Sequence, residues 1–67
     1  MKQIIKNLEK QLQKLREHVQ KREDYVDTRS EQWQESNKCE EYTDKTQDIE
    51  AQADELDTLI DELKELQ

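Results

Sequence analysis

Residues 33–42, "WQESNKCEEY", decide whether this chain is one long rod or a hairpin. They contain no Gly and no Pro, and neither does the rest of the 67-residue sequence. The residue types that usually mark a turn are missing, so the phase of the apolar repeat has to settle the matter.

Two repeats flank the stretch. Before it, Ile5, Leu12, Val19, Val26 and Trp33 recur every seven residues, with Leu8, Leu15, Arg22 and Arg29 three positions on. After it, Tyr42, Ile49, Leu56 and Leu63 recur every seven, and Lys45, Gln52, Leu59 and Leu66 are assigned as the companion column. Trp33 and Tyr42 are nine residues apart rather than seven. At about 100° per residue, an unbroken helix would set the two stripes on roughly opposite faces and cover neither. A turn removes the conflict.

Antiparallel packing pairs residues whose numbers have a constant total. Ile5 with Leu66, Leu8 with Leu63, Leu12 with Leu59 and Leu15 with Leu56 each total 71, as do Val19 with Gln52 and Arg29 with Tyr42. That register places the bend between Glu35 and Ser36. Ser36 or Asn37 is a suitable helix N-cap, and Asn37 followed by Glu40 resembles a capping box. Thr28 with Glu31 offers the same signal earlier, but a break there spoils the pairing totals. The expected fold is all-α: an antiparallel two-helix coiled-coil hairpin, dimerising into a four-helix bundle. Its expected parts are helix 1 over about 2–34, a turn at about 35–37 and helix 2 over about 38–66.

Composition agrees with helices. Charged residues make up 43% of the chain and hydrophobic ones 30%, which alone would suggest disorder, yet the apolar residues are periodic and the polar ones are strong helix formers. Residues 1–33 hold eight Lys and Arg against six Asp and Glu, a net of +2; residues 34–67 hold three against twelve, a net of -9. Folding back lays the less acidic arm beside the acidic one. With one cysteine, Cys39, no internal disulfide can form and a reducing compartment is expected. The N-terminus lacks a signal-like apolar run, and no window approaches the roughly 18 apolar residues of a membrane span. A soluble, cytoplasmic protein is expected, without membrane binding.

A single hairpin of this length buries little, so a partner is expected. Ile4, Ile5, Leu8, Leu12, Leu59, Ile60, Leu63 and Leu66 at the open end are the candidate self-association surface, with Ile4 and Ile60 widening the stripe. At the turn end, Tyr25, Arg29, Trp33 and Tyr42 are residue types favoured at binding hot spots and form the candidate partner surface. His18 is expected to meet Glu55 at the seam's edge, with Tyr25 facing Asp48 and Gln11 facing Glu62. The acids at 50, 54, 57, 61 and 65 form one ridge, read as a solvated face.

No arrangement of nucleophile, base and oxyanion donors is present, so no catalytic residues are expected. One Cys and one His cannot build a zinc site in one chain, and no metal or cofactor is expected. The expected function is a non-enzymatic protein-interaction module that self-associates as a homodimer and binds a protein partner by helix packing. The alternative is an acidic nucleic-acid mimic that occupies the nucleic-acid channel of a host protein. Direct nucleic-acid binding is not expected at a net charge of -7.

Overall fold

A computed structural model describes all 67 residues as helices and short connections. Helix α1 spans Lys2–Asp27, a single turn α2 spans Glu31–Gln34, and α3 spans Asn37–Leu66. The long helices pack side by side and antiparallel, giving a slab of 51 × 15 × 10 Å.

The first helix ends seven residues earlier than the heptads suggested. Its last turns carry Glu23, Asp24 and Asp27, with no basic residue in the final turn. Those carboxylates oppose the negative end of the helix dipole and favour a stop. The freed carbonyls find partners nearby. The Thr28 hydroxyl donates to the Tyr25 carbonyl at 2.9 Å, and the Gln34 amide donates to the carbonyls of Val26 and Arg29 at 2.9 and 3.1 Å.

Chain reversal then uses two serine corners. Ser30 and Ser36 both take extended backbone, at φ/ψ of -63/156° and -85/161°. Each precedes a helix, and no residue has positive φ. Glycine is unnecessary because both corners lie where any L-residue is comfortable. The Ser30 side chain accepts from the Trp33 N–H at 3.3 Å, as an N-cap should. Ser36 is the N-cap of α3, but its hydroxyl donates back to the Trp33 carbonyl rather than accepting from the new helix. The expected Asn37–Glu40 capping box is therefore replaced by a Ser36 cap, with Glu40 in the first turn and Lys64 in the last matching the α3 dipole.

The seam corrects the expected register. Buried or half-buried residues of α1 are Ile5, Leu8, Leu12, Leu15, Val19, Arg22 and Val26, as the heptads imply. Those of α3 are Cys39, Thr46, Ala53 and Ile60 alternating with Tyr42, Ile49, Leu56 and Leu63, with Thr43 half-buried beside Tyr42. The companion column thus lies three residues before each member of the Tyr42 column, not three after. Lys45 and Gln52 are exposed, and Leu59 and Leu66 are 47% and 74% exposed, while Ile60 and Ala53 keep 1% and 0%.

Facing residues now total 68: Ile5 with Leu63, Leu8 with Ile60, Leu15 with Ala53, Arg22 with Thr46. The last pair is a direct hydrogen bond of 2.8 Å. The midpoint becomes Gln34, whose amide ties down the end of α1. This register wins because the column it buries contains no charge and grows small toward the turn, where α1 presents arginine. Burying Lys45 and Gln52 would have cost desolvation with no partner in reach.

Replacing Ile60 with Ala removes a nearly inaccessible side chain and should destabilise the hairpin by about 2–4 kcal/mol in a denaturant melt followed by circular dichroism. Gln34→Ala should cost about 1 kcal/mol by the same measurement, since the Arg29 carbonyl loses its side-chain donor and the Val26 carbonyl keeps only the Arg29 N–H.

Candidate functional site

Two features stand apart from the plain helix pair. The first is a clasp at the turn end. Arg22 leaves α1 as a fork: Nε donates to the Thr46 hydroxyl, and Nη2 donates to the Tyr42 carbonyl at 3.1 Å. The Thr46 hydroxyl in turn donates to that same carbonyl at 3.0 Å. The guanidinium lies 3.9 Å from the centre of the Tyr42 ring, a close cation–π approach. One basic side chain thereby meets a hydroxyl, a carbonyl and an aromatic face, and no buried side-chain nitrogen or oxygen lacks a partner.

Around this fork the aromatic rings gather. Tyr25 and Trp33 meet edge-to-face with centroids 5.7 Å apart; Tyr25 and Tyr42 are 5.2 Å apart, and Trp33 and Tyr42 6.0 Å. Arg29 sits 5.4 Å from the Tyr25 ring and 5.2 Å from that of Trp33. All four residues of the candidate partner surface are therefore brought together. Sequence reasoning placed Arg22 in the seam but missed Thr46, its partner. An uncharged hydroxyl one helical turn from Tyr42 was the available signal.

The second feature is the inequality of the hairpin's two flanks. On one, ion pairs link the helices: Arg16 reaches Asp54 and Asp57 at 3.4 and 3.5 Å, and Lys64 reaches Glu9 at 3.7 Å. Each pair is about half exposed or more and so contributes little stability, but together they mark this side as polar and bridged.

On the other flank lie the positions just before each inward column: Ile4, Gln11, His18 and Tyr25 of α1, and Lys38, Lys45, Gln52, Leu59 and Leu66 of α3. None is acidic, although the chain has 18 acids. The seam residues leaning toward this flank, among them Leu8, Leu15, Ile49, Leu56 and Leu63, are only half buried. With Ile4 57% exposed beside Leu59 and Leu66, the open end of this flank is a bare apolar face.

The candidate self-association residues accordingly divide. Ile5 and Ile60 are consumed inside the hairpin; Leu8, Leu12 and Leu63 are shared; Ile4, Leu59 and Leu66 face outward. The expectation that Ile60 would widen the surface is reversed, since Ile60 is core and Leu59 does the widening. The shift of three residues also dissolves the expected edge contacts. His18 is exposed and forms no ion pair with Glu55; the corrected register sets it across from Gln52. Tyr25 packs on rings rather than facing Asp48, and Gln11 makes no bond with Glu62.

Of the acidic ridge, Asp54 and Asp57 hold Arg16, so part of it belongs to the bridged flank rather than to solvent alone. Cys39 is a half-buried free thiol 4.0 Å from the Thr43 hydroxyl. No group of three or more His, Cys, Asp or Glu converges to hold a metal, and no helix is long and apolar enough to cross a membrane. Comparison with protein-family models, curated proteins and solved structures returns no match.

Thr46→Val should leave the Arg22 fork without its hydroxyl and cost about 1–2 kcal/mol in thermal or chemical melts. Tyr25→Leu should collapse the near-ultraviolet dichroism of Trp33 while leaving the far-ultraviolet helix signal in place, because it removes an edge-to-face neighbour and not a seam residue.

Proposed function

We propose that this protein is a non-enzymatic interaction module whose coiled-coil hairpin self-associates, most simply as a homodimeric four-helix bundle, and presents its turn end to a protein partner. One observation carries the reading. The hairpin buries only 5 of 67 residues while leaving Ile4, Leu59 and Leu66 exposed on one flank. A core that small does not balance the ordering of some 60 residues, and an outside surface that covers the bare flank supplies the missing burial. The aromatic and arginine side chains at the turn supply a separate, compact contact of the kind that dominates interface energetics.

A second reading, an acidic mimic that occupies the nucleic-acid channel of a host protein, draws support from α3. Of the twelve acids in residues 34–67, Asp54 and Asp57 alone pair with a base inside the hairpin, which leaves ten facing outward. The two readings differ in their response to salt. Apolar helix packing weakens little as salt rises, whereas contact between carboxylates and a basic channel collapses.

In sedimentation at micromolar concentration the chain should run as a dimer, and Leu59→Asp with Leu66→Asp should convert it to an 8.2 kDa monomer. A folded wild-type monomer across the micromolar range would remove the self-association reading.

A further inference from the structure

The bare flank is bordered by two rails of charge. On its α1 side the next helical positions outward are Asn7, Lys14, Lys21 and Thr28; on its α3 side they are Glu41, Asp48, Glu55 and Glu62. One edge of the face thus carries two lysines and no acid and the other is wholly acidic; the centre between them is apolar at the open end and holds Lys38 and Lys45 toward the turn. Such a face has a handedness of charge, and it discriminates between the ways a second copy can lie upon it.

Two twofold arrangements are open to two hairpins stacked face to face. With the axis perpendicular to the helices, α1 covers the partner's α1, so lysine rail meets lysine rail and acid meets acid. The bare open end would then lie over the tyrosine and lysine of the turn end. With the axis parallel to the helices, α1 covers the partner's α3. Basic rail then meets acidic rail on both sides, and the two open ends, with Ile4, Leu59 and Leu66, come together.

We propose that this flank binds a second copy of the chain through the parallel twofold, with Lys14 opposite the partner's Glu55 and Lys21 opposite the partner's Asp48. The proposal rests on the self-association reading and adds the face, the axis and the charge pairing. The register supports it in detail. Within one hairpin, facing residues total 68, and side chains lean toward their own helix N-terminus, so lateral neighbours have slightly higher totals. Lys14 with Glu55 and Lys21 with Asp48 each total 69, as do Asn7 with Glu62 and Thr28 with Glu41. The same axial levels recur in the partner because the axis preserves them. Size is adequate as well. A face of 51 × 15 Å between Cα atoms approaches the roughly 800 Å2 per partner of a standard stable interface before side chains widen it.

The rails are tested by reversing them. Lys14 and Lys21 lie outside the intrachain seam, as do Asp48 and Glu55, so circular dichroism should show each variant folded. The double variant K14E/K21E makes both rails acidic, and D48K/E55K sets lysine against lysine at the two central levels while Glu41 and Glu62 stay acidic. Each should dimerise about tenfold more weakly or worse in sedimentation equilibrium, since attraction becomes repulsion at four places in the dimer. Exchanging two acids for two lysines moves the chain by four charges, from -7 to -3. Weakening by D48K/E55K therefore runs against the general relief of repulsion and reports the specific pairing. The fourfold variant K14E/K21E/D48K/E55K should restore wild-type dimerisation in a single chain. Double variants that dimerise like a dimeric wild type would overturn this pairing while leaving self-association intact. A wild-type chain that stays monomeric, or that covers the flank only with a different protein, would overturn both.

Discussion

Everything in this molecule hangs on one shared seam between two helices. At Ala53 the seam closes completely, with no side-chain surface left to solvent. In this register Ala53 falls opposite Leu15 and Thr46 meets Arg22, small against large, while toward the termini Ile60 falls opposite Leu8 and the two sides are equal in size. Interiors are packed closely enough that such size matching selects a single register. Once this register is set, the positions of the ion pairs, the turn and the bare flank follow.

The seam changes character along its length, and that gradient separates the two ends. Toward the termini it is aliphatic on both sides and too small to be self-sufficient. Toward the turn it becomes a polar clasp, where Arg22 is held by a hydroxyl, a carbonyl and a ring. A basic side chain at an inward position is tolerable only because every donor directed inward has an acceptor and the aliphatic stem can lie on apolar neighbours. The Tyr42 ring covers one face of the fork. The polar clasp and the bare apolar surface thus occupy opposite ends of a single rod-like body.

Charge adds a second asymmetry, across the hairpin rather than along it. On the flank bridged by Arg16 and Lys64, three carboxylates are paired within the chain, while Glu23 and Glu50 form no ion pair. The other flank has its opposite charges held apart, on two rails at the outer edges of two helices. Charges separated in that way do not neutralise one another inside a hairpin, but they become neighbours when a second hairpin is laid across the first.

Much of this was legible in the residues themselves. The nine-residue interval between Trp33 and Tyr42, together with the opposite charge of the two arms, determined that the chain must double back, because a continuous helix has no way to bring both stripes to one side. The inward column of α1 was likewise determined, since Ile, Leu and Val leave no competing choice. For α3 the Tyr42 column was unambiguous but its companion was not. Lys45, Gln52, Leu59 and Leu66 offered more apolar surface at one end, and Cys39, Thr46, Ala53 and Ile60 offered a column without charge throughout. Only packing against α1 could decide, because the worth of Ala or Thr lies in what it admits opposite, a property of the pair and not of either residue. The site of the first break was a local decision, made by contacts within eight residues that the heptad pattern does not record. Thr28 and Ser36 were both legible as cap signals, and in the structure the Gln34 amide and the hydroxyls of Thr28 and Ser36 add donors to the carbonyls of Tyr25, Val26, Arg29 and Trp33.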